Sequence, residues 1–288
     1  MAKTIGNPLS WGVDAASAAG DYVGSVAGEL GSDEAAPPVV RRITVDDLRA
    51  SLRAGFEDFA ACRSDVLFLC LLYPVIGGLL AWAAFTGNLL PLIFPIMSGF
   101  ALLGPVAAVG LYEMSRQREM GNEASWSNAF GVLRSPSFGA IFVLALMLFA
   151  AFVVWLMAAH GIWSATLGPE PPASIGAFVG DVFGTPAGWT MIVVGMAVGG
   201  LFAVAVLGVS IVSFPLLLDR KVGLPMAVVT SFRVVTENPR VSAIWGAIVA
   251  VSLAIGSIPA FLGLIVVLPV LGHATWHLYR RAVAPVAK

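Results

Sequence analysis

Two histidines four residues apart, in His273-Ala274-Thr275-Trp276-His277, are the residues of this chain whose type and spacing best suit chemistry. On a helix they share one face and can present two imidazoles to a metal or a haem. Two ligands do not close a site. The third histidine, His160, falls at the opposite membrane face on the topology argued below, and Cys62 and Cys70 fall beside and within another span. The alternative for His273 and His277 is a hydrogen bond between helices or contact with lipid head groups. A structural disulfide between the two cysteines is not expected at that depth.

A second set of candidates is ionic. Glu113 with Arg116, and Asp219 with Arg220, form acid-base pairs at the ends of two apolar runs, and Arg280 ends a third. Such groups can grip a partner protein or an anionic lipid head group. The plainer reading is that they end helices, where a cation suits the negative pole of the helix dipole. Ser210, Ser213 and Ser231 have no histidine within plausible reach, and no Walker, Rossmann or zincin pattern occurs. No enzymatic activity and no resident cofactor is expected.

The elements that position these residues follow from composition. Of 288 residues, 58% are apolar and only 11% charged, whereas soluble domains carry about a quarter charged residues. The net charge of −1 gives no whole-chain attraction to nucleic acid. Long apolar runs recur at Val66–Phe85, Leu89–Tyr112, Gly139–Ala159 and Trp189–Leu218. Each is long enough to cross the hydrocarbon as a helix. The last stretch, Val241 to His273 and on to Tyr279, reads as a hairpin turning near Gly256-Ser257-Ile258-Pro259. With six spans, all sixteen Lys and Arg fall on one side, and the external segments, Thr86–Asn88, His160–Gly188 and the 257–260 turn, hold none. This is the positive-inside pattern, with both termini cytoplasmic.

No cleavable signal peptide is expected. Residues 1–42 read as a flexible N-terminal tail, with Trp11, Tyr22 and Val23 its apolar points, because Ala, Gly, Ser and acidic residues bury too little apolar area to order it. Residues 43–282 form the six-span membrane domain, and 283–288 a short cytoplasmic tail. At the domain's start Thr44 can cap a helix with Asp47 three residues on, and Ile43 can staple onto Leu48. Val45, Leu48, Leu52, Phe56 and Phe59 then follow at helical spacing, opposite Asp46, Arg49, Arg53, Glu57 and Asp58, as in an amphipathic helix lying on the membrane.

The same plan recurs three times. A surface helix feeds an outward span, then a return span with a proline (Pro105, Pro215, Pro269) and a basic exit. The other surface helices are Trp126/Phe130/Leu133 and Leu224/Val228/Phe232/Val235. The expected fold is therefore an all-α polytopic transmembrane bundle, six spans as three helix hairpins about a pseudo-three-fold axis. Gly195-x-x-x-Gly199 allows close helix approach. No Asp, Glu, Lys or Arg lies in the central part of any span, which argues against proton relays, ion-coupled carriers and voltage sensors.

Several strings carry a family resemblance: Gly99-Phe100-Ala101-Leu102-Leu103-Gly104-Pro105 leading to Tyr112-Glu113 and Ser115-Arg116, Ser213-Phe214-Pro215 leading to Asp219-Arg220, and the run from Leu268-Pro269 through His273 and His277 to Arg281. Over residues 43–282 they resemble a bacterial family of predicted integral membrane proteins of unknown function. Some members carry a cytochrome c oxidase subunit I label. The oxidase catalytic subunit has about twice the spans and six histidine ligands, so three histidines contradict a catalytic version of that label. The resemblance implies fold and bacterial inner-membrane location.

The function expected is that of a non-catalytic accessory or assembly subunit of a larger inner-membrane complex, such as a respiratory one, with the bilayer and other membrane subunits as partners and no nucleic acid. The competing expectation is a small transporter or lipid-binding protein, with a cavity lined by Pro105, Pro215, Pro269 and His273.

Overall fold

The computed structural model describes residues 37–70, 75, 78, 79, 82, 90–122, 129–259 and 261–285. Most of the expected first span Val66–Phe85, the Thr86–Asn88 turn, Trp126, the side chains of Cys62 and Cys70, the tail's Trp11, Tyr22 and Val23, and the end at Lys288 lie outside the described residues.

The secondary structure of the described residues is all helical. Thr44 starts α1 (Val45–Cys70) with the expected reciprocal cap: Asp47 N–H donates to Thr44 Oγ1 at 3.2 Å, and Thr44 N–H to Asp47 Oδ2 at 2.8 Å. Ile43 and Leu48 are both buried in one apolar cluster. The first return arm is α2 (Ile93–Ala107) and α3 (Val109–Glu119), interrupted at Ala108, three residues after Pro105, whose ring cannot supply a backbone donor. α4 (Phe138–Thr166) and α6 (Pro186–Ser210) follow, joined through α5 (Ile175–Gly184). After α6 the helix breaks at Ile211–Val212 and restarts as α7 (Ser213–Asp219). Pro215 thereby falls in a first turn, where its missing N–H costs nothing. α8 (Leu224–Glu237), α9 (Pro239–Ser257) and α10 (Leu264–Ala282) complete the chain.

Among the described residues four helical stretches are long and apolar enough to cross a membrane: Leu90–Glu119, Phe138–Thr166, Pro186–Asp219 and Pro239–Ser257. α10 is 19 residues long, but its second half carries His273, His277, Arg280 and Arg281 and so falls outside that group. The apolar flanks of the long helices are bare, with Met157 on α4 and Leu201 on α6 about 70% exposed (69% and 71%), as residues that meet lipid must be.

The packing order is cyclic. The polar ends of the three return arms converge, α3 against both α10 and α7, and α7 against α10. Each arm is covered by the surface element that opens another repeat: α1 on α10, the 3-10 turn Phe130–Arg134 on α3, and α8 on α6 and α7. Each covering contact is made at a small residue. A Cβ on Gly55 would stand 2.7 Å from Ala274 Cα, one on Gly110 3.0 Å from Ala129 Cβ, and one on Gly208 2.7 Å from Phe232 Cε1. Gly199 of the Gly-x-x-x-Gly pair likewise admits Trp155 of α4, its Cβ position lying 3.0 Å from Trp155 Cη2. Gly199 therefore serves packing within the chain, whereas a Cβ on Gly195 meets nothing within 4 Å.

Three expectations need correction. The buried face of α1 is Leu48, Ser51, Gly55 and Asp58, while Phe56 is exposed. Asp58, assigned to the solvated face, is thus buried. Small side chains let α1 approach the α10 backbone more closely than the larger apolar ones would, and the face turned inward is the small one. On α8, similarly, Ala227, Thr230, Ser231 and Val234 are buried, while Phe232, its ring edge over Gly208, is left largely exposed. Beyond the third span, the helix runs past Ala159 to Thr166, and the segment expected to be an external loop contains α5, whose Ile175, Val179 and Phe183 form an exposed apolar stripe.

Backbone pairing also joins the residues on either side of 43–282. Val40 pairs antiparallel with Val283, Arg41 N–H donates to Ala282 C=O at 2.8 Å, and Ala284 N–H to Val39 C=O at 2.9 Å. Asn238, before α9, clamps this seam: its Oδ1 accepts from Ile43 N–H at 2.8 Å, and its Nδ2 donates to Arg41 C=O at 3.1 Å and Val234 C=O at 3.2 Å. Asn238→Ala is expected to destabilise the protein by about 1–3 kcal/mol, since it orphans buried backbone groups. Thermal melting of the detergent-solubilised protein measures it.

Candidate functional site

The polar end of the bundle is a chain of side chains from α1, α3, α7 and α10. Asp58 of α1 is its hub. Asp58 Oδ2 accepts from Ser115 Oγ–H at 2.6 Å and pairs with His277 Nε2 at 2.8 Å, while Oδ1 meets Arg118 Nη1 at 2.6 Å. Ser115 Oγ lies 2.7 Å from His273 Nδ1. With the serine proton committed to Asp58, Nδ1 carries the proton that Ser115 Oγ accepts. Nε2 of His273 is then a bare acceptor, buried and without a hydrogen-bond partner among the described residues. Ser51 Oγ, on the buried face of α1, is in the same position.

A second node lies beside it. Asp219 Oδ2 accepts from Tyr279 Oη–H at 2.6 Å and from Arg280 Nη1 at 3.2 Å. Arg280 reaches Glu119 Oε1 from Nη2 at 2.8 Å, and Trp276 Nε1–H donates to Glu119 Oε2 at 2.9 Å. Arg220 turns inward to the Ala284 carbonyl. Glu113, buried on α3, holds Arg116 at 3.0 Å.

His273 and His277 therefore both turn to α1 and α3, onto Ser115 and Asp58. Among the described residues no group of three or more His, Cys, Asp or Glu side chains is placed to hold a metal ion. Of the residues expected to grip a partner or head group, Asp219, Arg220 and Arg280 are engaged within the chain, and Glu113 and Arg116 with each other. His160 is at the other end of α4, its ring 5.3 Å from that of Trp163. The serines without histidines serve the backbone: Ser210 Oγ donates to Val206 C=O at 2.6 Å, and Ser213 Oγ to Ala227 C=O at 3.1 Å.

Asp58, Ser115 and His273 are the types of a hydrolytic triad, but the wiring differs. The triad needs the serine on one imidazole nitrogen and the carboxylate on the other, with an open approach to the hydroxyl. Here the serine stands between acid and imidazole and is 2% exposed. The arrangement can lock helices together; it offers no nucleophile to a substrate.

Electrostatics fit a lock. Burial alone pushes the Asp58 carboxyl up, but hydrogen bonds from His277 and Ser115 and the electrostatic attraction of His277 hold it below its ordinary 3.8. The backbone hydrogen bond from Thr44 outweighs partial burial and, with the Thr44 hydroxyl and Arg281, lowers Asp47 too. A carboxyl whose pKa is depressed by folding contributes stability that is present above its unfolded pKa and is lost as pH falls through the folded one. The melting temperature is thus expected to hold down to about pH 4 and to drop below it, less steeply in Asp58→Asn.

Sequence reasoning named His273 and His277 but missed Asp58, Ser115, Arg118, Glu119 and Asn238. The available signal was the spacing of Ser51, Gly55 and Asp58, a small-residue face one helical turn at a time.

Toward the membrane interior, the space between α2, α3, α6, α9 and α10 is a cavity of about 440 Å³. Its wall is almost wholly apolar and includes Pro105, Gly200, Ala247, Leu253 and Gly272, with Tyr112 and Thr275 toward the polar end. Pro215, Pro269 and His273 are not among the residues that line it. A second apolar cavity of about 470 Å³ lies under α5, against Phe94, Trp163 and Phe178.

Residues 93–219 match the model of a family described as a predicted integral membrane protein (DUF2189), a family of unknown function. The match runs from α2 to α7. It contains Ser115, Arg118 and Asp219 and leaves Asp58, His273 and His277 outside. No curated protein and no solved structure matches the chain.

Proposed function

We propose that this chain is a non-catalytic accessory or assembly subunit of a larger complex in a bacterial inner membrane, with its polar end and both termini in the cytoplasm. The observation that carries the reading is the use made of its ionic groups. Asp58, Glu113, Glu119 and Asp219 are each bonded to side chains of the same protein, and the long described helices hold no Asp, Glu, Lys or Arg in the central part of their apolar lengths. Such a bundle has a stiff polar end and broad apolar sides, which suits fixing other subunits in position and supplies no ionisable path for a pump. The bias of Lys and Arg to one side supports the orientation.

Extraction of a tagged copy in a gentle detergent, followed by mass spectrometry, is expected to recover other membrane proteins in fixed ratio. Recovery of this chain alone, at full yield and correctly folded, contradicts the accessory role.

A further inference from the structure

We infer that the cavity between α2, α3, α6, α9 and α10 holds one acyl chain of an anionic phospholipid, with its phosphate on Arg240. The inference is independent of the accessory role. At about 440 Å³ the space lies within the roughly 300–1,000 Å³ of ligand sites. It exists because the helices meet there through small residues: Gly104, Gly200, Ala203, Ala243, Ala247 and Ala250 line it. A Cβ added at Gly104 or Gly200 meets nothing within 4 Å, so the void is open to occupation. An apolar void does not hold water, and the apolar molecules around a membrane helix are lipid chains.

The cavity opens sideways. Val204 lines it and is 65% exposed, on the side where α6 and α9 meet sparsely and Leu201, Val251 and Ile255 face outward. A chain can therefore enter from the bilayer between these two helices, past Leu207, whose Cδ2 is 3.1 Å from where a Gly246 Cβ would stand.

The head group follows from the polar end of α9. Arg240 precedes Ala243, Ala247 and Ala250 by three, seven and ten residues, which puts it on the cavity face of the helix. It is exposed and joins no ion pair among the described residues. The Asn238 clamp brings the exposed Arg41 and Arg42 beside the same helix start, whose positive pole also favours a phosphate. Cations at a membrane surface select anionic lipids.

Trp245 lines the cavity and is 2% exposed, so a bromine on a lipid chain reaches it only from inside. The full-length protein is reconstituted in vesicles of phosphatidylglycerol or phosphatidylcholine with brominated chains, and the Trp245 signal is taken as the difference from Trp245→Phe. Quenching is expected in phosphatidylglycerol and is expected to disappear in Gly200→Leu and Gly104→Leu, which fill the void and keep or raise the melting temperature. In mixed vesicles Arg240→Gln is expected to raise the phosphatidylglycerol fraction for half-quenching about fivefold, the effect of one interfacial cation. An unquenched Trp245 in the unmodified protein overturns the site even if both filling variants fail to fold. Undiminished quenching in a folded filling variant also overturns it, and equal quenching by phosphatidylcholine overturns the anionic head group.

Discussion

Asp58→Ala is expected to destabilise the detergent-solubilised protein by about 3 kcal/mol, the loss typical of breaking a buried pair by removing one partner. The carboxylate is 8% exposed as a side chain and serves Arg118, Ser115 and His277 at once. Arg118, 41% exposed, can turn to water after the change, so the cost falls on Ser115 and the two histidines. Ser115 and His273 stay buried, and His277 half-buried, between α1, α3 and α10 with their partner gone. Asp58→Asn preserves shape and one acceptor but not the charge, and about half the loss is expected. Chemical or thermal unfolding followed by intrinsic fluorescence separates the two. A melting temperature unchanged in Asp58→Ala shows that the cluster does not hold α1 in place.

Gly55→Leu is expected to be about as damaging, through sterics alone. The Cβ would stand 2.5 Å from Ala274 N and 2.7 Å from both Ala274 Cα and Cβ. The obstacle is mostly backbone, so no rotamer relieves it, and α1 must lift from α10. Overpacking costs about 1–3 kcal/mol when side chains can adjust, and the upper end or beyond applies here. Because α1 carries Asp58, the lift also separates the carboxylate from His277. The two variants should therefore be less than additive when combined, as for residues sharing one contact. Gly161→Ala is the control: its Cβ meets nothing within 4 Å, and it is expected to gain up to about 1 kcal/mol from helix propensity.

Both results concern a helix contact that apolar patterning could not find. The long helices α4, α6 and α9 were legible because runs of apolar residues have no other stable environment, and the start of α1 because Thr44 and Asp47 cap each other locally. The three prolines likewise marked the return arms. The inward face of α1 was not legible in the same way. Ranking its residues by size put Phe56 inside and Asp58 outside, whereas close packing placed Ser51 and Gly55 against Ala274 and carried Asp58 in with them. The partners of His273 and His277 come from α1 and α3, some 150 to 220 residues away in sequence (|i−j| of 158 and 219), and no local spacing encodes that meeting. α5 was missed for a related reason: ten residues are too few to register as a span and too apolar to be an ordinary loop.

The most direct test of the proposed orientation, with the polar end of the bundle cytoplasmic, is the sidedness of its two poles. Reporters active on opposite sides of the membrane are fused after Lys288 and inserted at Gly168, between α4 and α5. The account predicts a cytoplasmic signal at Lys288 and a periplasmic one at Gly168. The same side for both, or the reverse order, contradicts it.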